Sequence, residues 1–164
     1  MKVLLHGKIN INKSLIKMEH RKIKKVFVEG GISPTFVGDS IARHSIKKDI
    51  GAHSIFLGQV RQDIINDKNI MAINYSAYIE MAEEMFHELR EDIFKKYKLT
   101  CMHMYHSIGN VYAGEICLFI FTSSVHRKDA IAACEEIVER IKKEVPVWGK
   151  EIFEDDSSQW KKNN

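Results

Sequence analysis

The sequence predicts an α+β domain in which a mixed or antiparallel sheet packs with two long amphipathic helices. Three observations lead there. Apolar residues recur at spacings of three and four over residues 80–97 and again over 124–145, the signature of helices with one buried face. Between and beside them lie short β-compatible runs at 51–61, 70–78, 101–111 and 114–124, each bounded by glycine or polar residues. The chain has 164 residues, 45% hydrophobic and 29% charged with two prolines, which suits a single domain over 1–164 that needs no disulfides.

In chain order, a short apolar run (Val3 to Leu5) and a basic stretch (Lys17 to Lys25) give residues 1–30 no assigned arrangement. Gly30, Gly31 and Pro34 punctuate the chain before a short helical pattern, Phe36 to Lys48. GAHSIFLGQVR is a strand ending near Arg61, and IMAINYSAY (Ile70 to Tyr78) is a second strand expected to pair beside it across a mobile loop tip. Met81, Met85, Phe86, Leu89 and Ile93 mark the buried side of the first long helix, its methionines serving as core filling.

CMHMYHSIGNV alternates like a strand, and GEICLFIFTSS is apolar on both faces, as an interior strand covered on each side would be. The second long helix is expected to take Ser123 or Ser124 as its cap, to carry Ile131, Cys134, Ile137, Val138 and Ile141 inward, and to stop at Pro146. VWGKEIF then extends as a further strand. Residues 155–164 are a turn and a tail.

No apolar run approaches the roughly 18–20 residues of a membrane span, and the N-terminus has no secretory pattern, so a cytoplasmic protein is expected. Cys101, Cys117 and Cys134 are widely spaced within apolar patterns and read as buried thiols rather than a disulfide or redox pair. No P-loop, Rossmann, GxSxG or HExxH signature appears and the histidines lack metal-ligand spacing, so neither a metal nor a cofactor is expected. A net charge of +3 suits an anionic ligand or an acidic partner as well as nucleic acid.

Three basic elements stand where secondary structure changes, the usual place for binding groups. Arg61 ends a strand. His126, Arg127 and Lys128 occupy the first turn of a helix, where free N–H groups form a ready anion site. Lys142, Lys143 and Lys150 surround Pro146 and Trp148, and at 100° per residue Lys142 falls about 20° from Ile131 while Lys143 falls about 120° away. Lys142 would thus border the buried face, where a lysine can act as nucleophile or general base. The residues alone indicate a basic pocket for an anionic ligand.

The segments GAHSIFLGQVR, YSAYIEMAEE, HSIGNVYAGE and SSVHRKDAIAACEEIVERIKKEVPVWGKE, with Trp160, resemble in order the MoaE family, the large catalytic subunits of molybdopterin synthase. The resemblance implies an α/β hammerhead-type fold and a homodimer within a heterotetramer. Each end would bind a small ubiquitin-like carrier whose Gly-Gly thiocarboxylate delivers sulfur to cyclic pyranopterin monophosphate, making the molybdopterin dithiolene.

By position, the resemblance makes Lys142 the main catalytic group and Arg61 a substrate ligand. His126 and Arg127 would hold the pterin phosphate across the dimer interface, with Gln59, Val60 and Glu151 lining the pocket. The family's lysine directly after the tryptophan is Gly149 here, a position expected at the substrate, which leaves Lys150 to swing into the vacant place as the second catalytic and substrate-binding lysine. Ser107 and Ser76 are further departures, from an arginine and a glutamate. Two competing readings remain open at this point: a noncatalytic subunit that only binds the carrier or the pterin, and a nucleic-acid binder using residues 17–25.

Overall fold

The computed structural model describes residues 23–162. The run at Val3–Leu5 and most of the basic stretch at 17–25 lie outside them. In order the elements are β1 (Phe27–Glu29), α1 (Pro34–His44), β2 (Ala52–Gln59), β3 (Ile64–Ile65), β4 (Lys68–Ala77) and α2 (Ile79–Lys96). There follow β5 (Leu99–Tyr112), β6 (Ile116–Ser124), α3 (Arg127–Glu144), β7 (Val147–Phe153) and β8 (Ser158–Trp160). The strands form one sheet of path β2-β6-β5-β4-β7-β8, with β1 parallel to β5 and β3 paired to β4. The α+β expectation holds.

The expected pairing of the first two long strands does not. β6 and β5 stand between β2 and β4. The reason lies in the connection, which forms a hairpin: Asn66 and Asp67 take φ of 50° and 62°, the two consecutive positive angles of a tight hairpin turn. The β3–β4 hairpin therefore leaves β2 as a unit, and β4 finds its partners in β5 and β7.

The 14-residue strand β5 joins the two halves of the sheet. Its first part pairs with β6 through His106, and from Gly109, where φ is 76°, it pairs with β4 instead. Alternation along β5 sends Met102 and Met104 into the main core with α2 and α3. Tyr105, on the opposite face, packs with the smaller cluster of Ile32, Val37, Phe119 and Phe121. As expected, β6 is covered on both faces and buried along nearly its whole length.

Each helix follows from its sequence with one adjustment. For α1, Ser33 caps the N-terminus by accepting from the Thr35 amide at 3.2 Å, and Pro34 sits in the first turn, where its missing N–H costs nothing. The buried stripe of α2 is Ala82, Phe86, Leu89 and Ile93; Met81, about 140° around the helix from Phe86, is 52% exposed and fills no core. The small Ala130 and Ala133 bring α3 close to the sheet and turn its stripe, so Ile131 is 54% exposed.

Ser123 and Ser124 do not cap α3. Both are buried residues of β6, Ser124 Oγ donates to Lys98 O at 2.7 Å, and His126 is the N-cap without a side-chain capping bond. The tail also gains structure, since β8 pairs antiparallel with β7. Of the three cysteines, Cys117 and Cys134 are buried but Cys101 is only half-buried. No helix among the described residues is long and apolar enough to cross a membrane.

Candidate active site

A cavity of about 450 Å³ opens where the two halves of the sheet meet. The end of β2 brings Gln59, Val60 and Arg61; the end of α3 brings Ile141 and Lys142; and β7 brings Val147, Gly149 and Glu151. The sequence places these residues in two distant segments, 59–61 and 141–151. The β5 crossover and the stop at Pro146 bring them together.

Lys142 reaches the cavity from the last turn of α3, beside buried Ile141, but it is an exposed residue of the rim. Its placement does not come from Ile131, which faces water. Lys143 turns away and lies 3.8 Å from Glu139. Because β7 alternates, Val147, Gly149 and Glu151 face the cavity while Trp148 and Lys150 are exposed on the other side. Lys150 therefore does not swing into the place left by Gly149.

A different lysine occupies that neighbourhood. The Lys161 amide donates to Gly149 O at 2.9 Å, and Lys161 lines the cavity. Its Cδ stands 3.6 Å from where a Cβ on Gly149 would be, and the same Cβ would come within 2.9 Å of Ile73 Cγ2. Glycine at 149 is thus the close-approach partner of Ile73, while the Lys161 stem lies at ordinary contact distance. The sequence held a signal for this. The Asp155–Ser158 turn folds the chain back so that Lys150 pairs with Trp160, which puts Lys161 opposite Gly149.

Arg61 stands just past β2 with its side chain 82% exposed, and it grips Asp63 with a two-pronged contact whose Nη2–Oδ2 arm is 2.9 Å. That contact holds the Asp63 carboxyl below its ordinary range and raises Arg61 above its own. Glu151 is 6% exposed and accepts from Gln159 Nε2 at 2.8 Å. Val60 is buried and held between Glu115 and Gly114 by two backbone bonds.

Three wall residues carry chemistry that the sequence reading did not single out. Tyr75 has its hydroxyl pKa pushed well up by burial. His106 is pushed down by burial, and its Nδ1 lies 2.7 Å from Ser107 O, so it is a neutral imidazole packed edge-on to Tyr75. Burial raises the Cys117 thiol, although Tyr75, Lys161 and Lys142 each pull it the other way. Cys117 is therefore a protonated thiol and a poor nucleophile at neutral pH.

His126 and Arg127 are exposed at the opposite end of α3 and do not line this cavity. Fifteen residues of helix separate Arg127 from Lys142, about 22 Å at 1.5 Å per residue. One copy of the chain cannot bring both ends of α3 to one small ligand. What the cavity offers by itself is two lysines, an arginine paired with Asp63 and the Glu151 carboxylate around partly apolar walls, a small positive excess suited to an extended tail with an anionic end.

Comparison with known proteins gives a consistent picture. The family model described as "MoaE protein" matches residues 33–144. A Bos taurus protein named molybdopterin synthase catalytic subunit is 32% identical over 125 residues, 76% of this chain and 66% of that protein. The chain thus spans slightly less than two thirds of that relative's length. The crystal structure of molybdopterin synthase from Staphylococcus aureus superposes with a TM-score of 0.74 at 34% identity, covering 85% of this chain and 98% of that one. A Helicobacter pylori complex of subunits 1 and 2 of molybdopterin-converting factor shares the fold, with a TM-score of 0.73 at 19% identity over 85% and 90% of the two chains.

Proposed function

The chain belongs to the MoaE family, and from that premise we propose that it is the catalytic subunit of a molybdopterin synthase working in the cytoplasm. It takes sulfur from the thiocarboxylated Gly-Gly end of a small carrier subunit and adds it to cyclic pyranopterin monophosphate, forming the dithiolene. The observation that carries this reading is the pairing of Lys142 with Lys161 at a cavity whose own thiol, Cys117, is buried and protonated. The site has positive charge for an anionic tail but no cysteine fit to carry sulfur. Its sulfur comes from a partner.

In this reading the extended carrier tail enters along the partly apolar walls, and its terminal thiocarboxylate meets the Lys142 ammonium. Lys142 orients the terminal glycine, or bonds it transiently as an amide that forms as the carbon–sulfur bond breaks and that water then hydrolyses, and it moves protons as sulfur passes to the pterin. Lys161 takes the role the family gives to the lysine at position 149. Arg61 binds the pterin, and Gln59, Val60 and Glu151 shape the pocket. His126 and Arg127 come from a second copy to hold the pterin phosphate, which makes the homodimer the working unit, with one carrier on each copy.

A noncatalytic, carrier-binding subunit draws its support from Gly149; Lys161 beside that glycine favours the catalytic reading. The test is a reconstituted assay with thiocarboxylated carrier. Lys142→Ala is expected to lose product formation while still binding carrier, and near-normal turnover by that variant would overturn the assignment.

A further inference from the structure

A second group of chemically capable side chains lies away from this cavity, on the face of β5 that α1 covers. His44, in the last turn of α1, is 6% exposed; Cys101 and His103, two apart on β5, are half-buried on the same face. His44 Nε2 is 3.0 Å from Cys101 Sγ, Cys101 Sγ is 3.3 Å from His103 Nε2, and the two Nε2 atoms are 3.3 Å apart. Three ligand atoms thus form a nearly equilateral triangle.

We propose that His44, Cys101 and His103 bind a zinc-class transition-metal ion, with a fourth coordination position left to a non-protein ligand. A tetrahedral ion bound at ordinary zinc distances separates two nitrogens by roughly 3.3 Å and a nitrogen from a sulfur by roughly 3.6 Å. The nitrogen edge already has that length, and the sulfur edges to His103 and His44 must lengthen by about 0.3 and about 0.6 Å. The orientation of His44 is also that of a ligand: Nδ1 donates to Ser40 O at 2.6 Å, which fixes the tautomer with a bare Nε2 lone pair aimed at the triangle.

A hydrogen-bonded chain also fits the trio, with His103 Nε2–H donating to Cys101 Sγ and the thiol donating to His44 Nε2, but it uses only two of the three close contacts. The single Nε2 lone pair of His44 can accept from the thiol or from His103, yet both lie within 3.3 Å of it. A metal ion satisfies all three donors at once. The nearby Arg90, Lys24 and Arg43 place positive charge close to His103.

Those same cations oppose a bare dication, so the site needs the thiolate. Binding forms one metal–sulfur and two metal–nitrogen bonds, and the Cys101 proton goes to solvent. An ion held there would tie the end of α1 to β5.

The test uses the full chain, reduced and stripped with a chelator, and titrated with Co²⁺ and Zn²⁺. The expected result is one equivalent bound, a thiolate-to-cobalt charge-transfer band, and a rise in melting temperature with Zn²⁺. Cys101→Ala is expected to lower affinity about 100-fold or more and abolish the band, His103→Gln to weaken both, and His87→Gln to change neither. Zn²⁺ should also shield one thiol of the unmutated protein from alkylation, a readout that needs no variant to fold. Absence of the band, or of shielding, in folded wild-type protein would overturn the proposal, as would unchanged binding by folded Cys101→Ala.

Discussion

If the His126–Arg127 end of α3 serves the partner's cavity as proposed, two inactive variants should rescue one another. Lys142→Ala removes the group at one end of the helix and Arg127→Ala the group at the other, about 22 Å away. Each homodimer then lacks one half of both its sites. A mixed dimer pools the two defects in one site and leaves the other site complete, carrying Lys142 from one chain and Arg127 from its partner. Random one-to-one mixing makes about half the dimers mixed, so about a quarter of wild-type activity should return. The assay is product formation from co-expressed or exchanged variants, with each parent alone as baseline. Activity no greater than the sum of the parents, in a preparation shown to contain mixed dimers, would refute the shared site and leave Arg127 without a role in this chemistry.

Three further outcomes are expected. Lys161→Ala should lower kcat roughly 100-fold, as loss of one donor to a developing anion typically does, whereas Lys150→Ala should change it less than about twofold; the reverse order would refute the assignment of Lys161. Because burial lowers the His106 pKa below its ordinary 6.5, the unfolded chain binds the extra proton first. Stability should therefore be level above about pH 6.5 and fall below it, and His106→Gln should flatten that fall, as read from urea midpoints at pH 7.5 and 5. Phe86→Ala, emptying a fully buried site between α2 and the sheet, should cost about 3–5 kcal/mol and lower the melting temperature by roughly 2–4 °C per kcal/mol, as followed by circular dichroism.

Much of this molecule follows from local rules. Hydrophobic periodicity locates α2, α3 and the long strands because burial of one face imposes periods of 3.6 and 2 on the sequence, and Pro146 ends α3 because it has no amide to continue it. Arg61 and Lys142 are marked in the sequence because they stand at or near the ends of elements, Glu151 only through the family-like motif, and all three line the cavity. The strand order was not legible. Which strand lies beside β2 depends on long-range pairing and on a two-residue turn at Asn66–Asp67 that moves a whole hairpin.

The same division runs through the functional groups. By itself the sequence determined the family, the α+β class, the helix that carries Lys142 and the absence of a second lysine at position 149. Only the tertiary structure decided that Lys161, and not Lys150, stands at the cavity, because strand alternation turns neighbours to opposite faces while an antiparallel return brings residues twelve apart side by side. Linear spacing likewise gave no hint of a metal site, since His44 and Cys101 are 57 residues apart. Packing of α1 against β5 brings them within bonding range of one ion, and contact of that kind depends on the whole fold.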